Sequence, residues 1–264
     1  GTISGEHGIG LEKMEAMRLV FSDDDIEAQR ALQEAFDPER ILNPGKLFPD
    51  TSRPFAFQDQ AAWTGPPDPL TAAENDAATR VQQAFAAGQA LRPTGSDSTK
   101  GFGNPLLDPW QRLPTGALNS IVELDPPNQV VTAGAGMRLA DLQAALARHN
   151  QWLPLRPALG LMARSLGGIT ATNASGPERV AYGSPRRLLL GLRFIDGRGR
   201  LITTGGKVVK NVAGYDLTRL LAGSAGTLGL ITRVTLKTAT RPERCASISA
   251  CGPPDACDAL AAAV

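Results

Sequence analysis

The sequence predicts an α/β or α+β domain with mixed strands, preceded by a short helical segment. Three observations lead there. From residue 73 onward, apolar runs of strand character alternate with amphipathic helical stripes. Glycine-rich loops stand at the ends of those strands. Ahead of them, residues 51–72 carry Pro54 and the run Pro66-Pro67-Asp68-Pro69 with little periodic apolar pattern, which reads as a linker.

Residues 1–50 form one unit: a Gly-rich opening, a helix and a Pro-punctuated exit. Ala28, Leu32, Ala35 and Phe36 follow an i, i+4, i+7, i+8 stripe, and Asp23, Asp24 and Asp25 lie where the helix dipole favours anions. Such an amphipathic helix must pack on something else. Asn43-Pro44-Gly45-Lys46 then stops regular structure. A linker of about 22 residues reaches roughly 70 to 80 Å when extended, so the sequence leaves open where this unit sits.

After the linker, Ala77, Val81, Ala84 and Phe85 share one face of a helix that ends at Gly88. Gln89-Ala90-Leu91-Arg92 starts a strand before the loop 93–103. Ile121-Val122-Glu123-Leu124 and Val130-Val131-Thr132-Ala133 are strands, followed by a helix that aligns Leu139, Leu142 and Leu146. Further strands run over 188–195, 201–203 and 228–236, the last reading Leu-Gly-Leu-Ile-Thr-Arg-Val-Thr-Leu. No internal repeat is visible.

Composition excludes several classes. In 264 residues, 27 Lys+Arg against 26 Asp+Glu leave a formal charge of +1, with no basic run suited to nucleic acid. No stretch approaches the ~18 apolar residues of a spanning helix, and no leader pattern is present, so the expectation is a cytoplasmic protein or one held at a membrane by partners. Cys245, Cys251 and Cys257 match neither a metal pair nor a disulfide framework. The start at Gly1 and the helix-like run Asp255 to Ala261 make both ends read as cut.

Three glycine clusters carry the functional argument. Arg92-Pro93-Thr94-Gly95-Ser96-Asp97-Ser98-Thr99-Lys100-Gly101 is either an ordinary surface turn or a concave anion nest with Lys100 supplying charge. Asp97 suits a phosphate site only if its carboxylate turns away. Ser165 to Gly176 holds almost only small residues over twelve positions, so something else comes close to its backbone unless it is a flexible linker. Residues 214–229 read as a helix capped by Asp216, closed by glycine and entering a strand. None has the strand-GxGxxG-helix order of a Rossmann fold or the spacing of a P-loop.

These loops in this order resemble the FAD-binding domain of the vanillyl-alcohol oxidase and p-cresol methylhydroxylase (PCMH) superfamily. Ser165 to Gly176 resembles its IGGNxATNxGG segment, and Lys210 to Thr232 its GYDLTxLxxGSxGTLGxIT segment. The version Lys210-Asn211-Val212-Ala213-Gly214-Tyr215-Asp216 is most similar to the E-type component of glycolate oxidase, a likeness covering residues 76–242. It implies an α+β fold with a PCMH-type FAD-binding domain over 73–242 made of two α/β subdomains. It also implies the start of a cap domain over 243–264 and non-covalent FAD. Pro93, Thr94, Gly95, Ser96, Asp97, Ser98, Gly167 and Gly168 would hold the pyrophosphate. Thr172, Asn173, Gly176 and the Gly229, Leu230 and Ile231 backbone would lie along the rest of FAD.

Residues 1–50 resemble a different protein, the C-terminal tail of the D-type component of glycolate oxidase and of D-2-hydroxy-acid dehydrogenases. The residues are Gly5-Glu6-His7-Gly8-Ile9-Gly10 and Phe36-Asp37-Pro38-Glu39-Arg40-Ile41-Leu42-Asn43-Pro44-Gly45-Lys46. Carried over, Glu6 is a metal ligand and His7 the base toward the substrate hydroxyl. A carboxylate suits a divalent cation and a neutral imidazole takes a proton. The family's two upstream metal-binding histidines have no counterpart, and His149 reads as a solvated helix end. The resemblance thus implies an FAD-dependent oxidoreductase component acting on a 2-hydroxy acid, a divalent metal in the complete enzyme, and partner subunits including an iron-sulfur one. A non-catalytic FAD-binding or assembly component is the second reading. A UDP-sugar enolpyruvate reductase using NADPH is the third, opposed by the Gly5 to Gly10 motif. A natural fusion, a fragment and a frame error all remain open.

Overall fold

The computed structural model describes residues 14–41, 47–49, 71–99, 109–157, 164–207, 215–244 and 253. Within these, a five-stranded antiparallel sheet has the order β3-β4-β8-β6-β7, built from Ile121–Asp125 (β3), Val130–Gly134 (β4), Leu189–Ile195 (β6), Leu201–Gly205 (β7) and Leu230–Lys237 (β8). A parallel pair, Ala90–Thr94 (β1) and Trp110–Pro114 (β2), forms a second small sheet, and Gln151–Trp152 (β5) with Ala239–Thr240 (β9) a third.

β8 is central and buried along most of its length: Leu230, Ile231, Val234 and Leu236 are all buried, and so are Thr232 and Arg233. On one face lies the main core, in which Leu139, Leu142 and Leu146 of Leu139–Ala147 (α3) are 0% exposed. The predicted leucine spacing is what places them there. A smaller core ties the two sheets together: Ala77 and Val81 of Ala72–Ala86 (α2) meet Leu113, Ile195 and Leu230. Phe85, expected on the same α2 face, points outward instead.

α2 begins with a capping box, the Thr71 hydroxyl and Glu74 carboxylate each accepting the other's backbone N–H. Glu74 then continues inward. It is 1% exposed, its Oε2 lying 2.7 Å from Arg233 Nη2 and 3.4 Å from Arg193 Nη1, while Thr232 Oγ1 donates to its Oε1 at 3.1 Å. Burial alone would raise this carboxyl, but the Thr71 N–H and the two guanidinium groups hold it below its ordinary value.

Asp23–Phe36 (α1) lies against the edge strand β7. Its inward face keeps part of the expected stripe, Ala28 and Leu32 being half-buried and packed against the main core, but adds the buried Asp25, Ile26 and Gln29 and leaves Phe36 84% exposed. The cause is the sheet edge, whose unpaired N–H groups need acceptors. Asp25 Oδ1 accepts from Thr203 N at 2.6 Å, and Gln29 Oε1 from Tyr215 N at 2.9 Å. Phe48 adds a ring contact to Tyr215 at 5.9 Å and lies under Arg30. The placement that linker length leaves open is thus fixed by these polar groups together with Ala28 and Leu32 on the main core.

Candidate FAD site

The site is organised by Leu166–Thr172 (α4), the helix formed by the small-residue cluster. Ser165 caps it, its hydroxyl accepting from Gly168 N at 3.3 Å. Gly95 rests on the same hydroxyl, for a Cβ there would stand 2.6 Å from Ser165 Oγ. The first and second clusters therefore meet at Gly95 and Ser165, with no room for a side chain between them. Thr94 is buried, and its carbonyl accepts from Thr115 N at 3.0 Å and Thr115 Oγ1 at 3.3 Å.

Asp97 has φ +57° and turns its carboxylate to Arg112 Nη2 at 2.7 Å, with Arg92 Nη2 at 3.6 Å. Both arginines thus engage this carboxylate. The Ser96 and Ser98 hydroxyls bond each other at 3.1 Å. Pro93 is exposed on β1 beside them.

Gly167 and Gly168 have different neighbours. Gly167 donates to Ala135 O at 2.7 Å, and a Cβ on it would press on Ala135 Cβ at 2.9 Å, so its smallness serves packing. A Cβ on Gly168 would meet only Ser165 Oγ, at 3.2 Å, and otherwise face space free of described protein. At the far end of α4, Thr172 Oγ1 donates to Gly168 O at 2.7 Å, and Asn173, in the left-handed region at φ +49°, accepts Arg186 N at 3.0 Å. Gly223 N and Ala225 N donate to Thr170 O and Ala171 O at 3.0 and 2.7 Å, which seats the third cluster beside the second. Its helix, Leu217–Leu221, is capped as expected by Asp216, which accepts Arg219 N at 2.9 Å.

Two glycines in the expected set are explained by packing. A Cβ on Gly176 would lie 2.0 Å from Arg156 O, and one on Gly229 2.7 Å from Ile195 O. The Leu230 and Ile231 side chains belong to the two cores, leaving only their backbone for a ligand. Glu6, His7 and Lys100 lie outside the described residues. So do residues 208–214.

The sequence reading missed the turn after β4. Ala135 donates to Thr232 O at 2.8 Å and accepts from Gly167, while a Cβ on Gly136 would stand 1.9 Å from Thr115 O. This turn joins loop 115–118, α4 and β8. Its signal was present as Gly134-Ala135-Gly136 between a strand and a helix.

Small residues from four chain segments thus line one end of the sheet, where a large ligand can lie on backbone, and Gly168 borders the open space. Comparison with known proteins agrees. The family described as "FAD binding domain" matches residues 70–205, and "FAD linked oxidases, C-terminal domain" matches residues 1–47. The chain belongs to the FAD binding domain family. Among relatives of this FAD-binding chain, glycolate oxidase subunit GlcE of Escherichia coli is 38% identical over 169 residues, covering 64% of this chain and 48% of that protein. D-lactate dehydrogenase of Archaeoglobus fulgidus is 41% identical over 116 residues, 44% of this chain and 26% of that one. Glycolate oxidase subunit GlcD of Bacillus subtilis is 36% identical over 126 residues, 48% and 27% of the two chains. The chain therefore spans less than half the length of each. Alkyldihydroxyacetonephosphate synthase shares the fold, with TM-score 0.55 at 22% identity over 64% of this chain and 33% of that one. The α+β, PCMH-type architecture is that of the family.

Proposed function

We propose that this chain is the FAD-binding component of a 2-hydroxy-acid dehydrogenase or oxidase of the glycolate type, in which a 2-hydroxy acid becomes a 2-oxo acid. The observation that carries the reading is the meeting of Gly95, Ser165 and Gly168 beside the Ala135 turn, an arrangement with backbone and hydroxyl groups where a pyrophosphate needs donors. The relatives' names supply the substrate class. FAD, when bound, supplies the hydride acceptor.

The protein's own part is to hold and orient. Pro93 to Ser98 and Gly167 to Gly168 take the phosphates, with Asp97 kept off them by Arg112. Thr172, Asn173, Gly176 and the Gly229 to Ile231 backbone lie along the remainder of the cofactor. In the complete enzyme Glu6 contributes to a divalent metal site and His7 takes the hydroxyl proton, with an iron-sulfur partner as electron acceptor. The FAD domain spans 73–242, and the segment from 243 begins a cap domain. Among the described residues no helix is long and apolar enough to cross a membrane. Binding is non-covalent in this reading, because Ser96 and Asp97 occupy the loop where a covalent attachment would need a histidine.

The experiment is FAD titration of the full chain followed by acid precipitation. Flavin released entirely into the supernatant is the expected outcome, whereas flavin retained in the pellet contradicts non-covalent binding.

A further inference from the structure

A cavity of about 580 Å³ opens at the opposite end of the five-stranded sheet from the glycine loops. The first residues of β6 and the last of β7 and β8 form its floor, and no residue of 93–98, 165–176 or 223–231 lines it. Three cationic side chains, Arg187, Arg219 and Lys237, face it against one carboxylate, Asp216. That carboxylate is engaged on both oxygens, with Arg219 N at 2.9 Å and Arg219 Nε at 3.1 Å. Arg187 and Lys237 form no ion pair with any described residue. The stem of Arg187 lies against Gly183, where a Cβ would stand 2.5 Å from Arg187 Cδ. Two buried hydroxyls stand at the floor, Thr218 Oγ1 donating to Thr204 Oγ1 at 3.3 Å. Phe21 and Leu188 provide apolar wall.

We propose that this cavity binds a small carboxylate anion, with Arg187 and Lys237 as its counter-charges. Two cations without partners among the described residues make the local potential positive, hydroxyls orient an oxyanion, and an apolar wall suits a short carbon skeleton better than a bare inorganic ion. The choice of a 2-hydroxy acid as the carboxylate rests on the proposed function; the charge of the cavity does not.

The test is calorimetric titration of the full chain at low ionic strength with glycolate, D-lactate and inorganic phosphate, each with and without FAD. Glycolate or D-lactate is expected to bind in both states. Arg187→Gln and Lys237→Met are each expected to weaken binding about fivefold to tenfold, since a charged contact at an open site is worth about 1 kcal/mol. Both residues are exposed, so these variants should keep wild-type melting temperature and FAD affinity. Absence of acid binding by the wild type, equal binding by the double variant, or competition between acid and FAD would each overturn the proposal. Phosphate binding tighter than either acid would overturn the carboxylate assignment. FAD binding without acid binding defeats this inference alone, and acid binding without FAD binding defeats the proposed function alone.

Discussion

Gly168 and Gly176 look alike in the sequence, yet a side chain on each would meet different surroundings. A side chain on Gly168 enters open space beside the Ser165 cap, while one on Gly176 collides with the Arg156 carbonyl at 2.0 Å. Gly168→Leu is therefore expected to keep the melting temperature and lose FAD binding, measured by flavin fluorescence quenching. Gly176→Ala should instead lower stability by about 1 to 3 kcal/mol through overpacking, seen in thermal unfolding. Wild-type FAD affinity in Gly168→Leu contradicts the site assignment. Glu74 makes a second prediction at this scale. Removing it leaves Arg193 and Arg233 buried without their carboxylate, so Glu74→Leu should cost about 3 to 5 kcal/mol. Its carboxyl is lower in the folded state, so its contribution is present above the ordinary value of 4.5 and is lost as pH falls through the lowered one. Acid unfolding curves of the wild type should therefore steepen below that pH, and those of Glu74→Leu should not.

Elements whose burial follows their apolar period were legible in advance. Leu139, Leu142 and Leu146 sit on one face of α3 and Leu230, Ile231, Val234 and Leu236 fill β8, both as the spacing predicts. β2 was not, because only Leu113 of Trp110–Pro114 is buried and the rest faces solvent. α1 was legible in part: Ala28 and Leu32 of its stripe pack against the main core, but Asp25 and Gln29, which accept N–H groups at β7 and Tyr215, share the packed face and no hydrophobic stripe encodes them. Burial raises the Asp25 carboxyl, with the nearby Asp24 charge adding to it, although the Thr203 and Ser22 N–H groups and the Ser22 hydroxyl oppose the shift. A folded value above the ordinary 3.8 means that docking is most favourable below that pH and weakens as pH rises through the raised value. Protection factors in α1, which remove the intrinsic pH dependence of amide exchange, should accordingly fall across that window in the wild type and stay flat in Asp25→Asn. Identical profiles would show that Asp25 does not set the docking.

For the whole molecule, the small residues of the second glycine cluster were legible as places of close approach, which Gly167 against Ala135 and Gly176 against the Arg156 carbonyl show. The turn at Ala135 and Gly136 was not, since its role exists only once α4 and loop 115–118 fold against it. The FAD domain and the segment before it match two different parts of longer oxidases, so binding and turnover need not coincide in this chain. The resemblance offers only Glu6 as a metal ligand where about three are usual, so the chain alone is expected not to oxidise glycolate or D-lactate even with FAD and Zn²⁺ or Mn²⁺. Anaerobic mixing checks this, and flavin bleaching that vanishes in His7→Ala would show a working site. The central claim is that the glycine loops hold FAD. Its most direct measurement is FAD titration of the purified chain followed by desalting. One flavin per chain, retained on the column by the wild type and absent from Gly168→Leu, is the predicted result. A wild-type chain that emerges without flavin, or a variant that keeps it, would contradict the account.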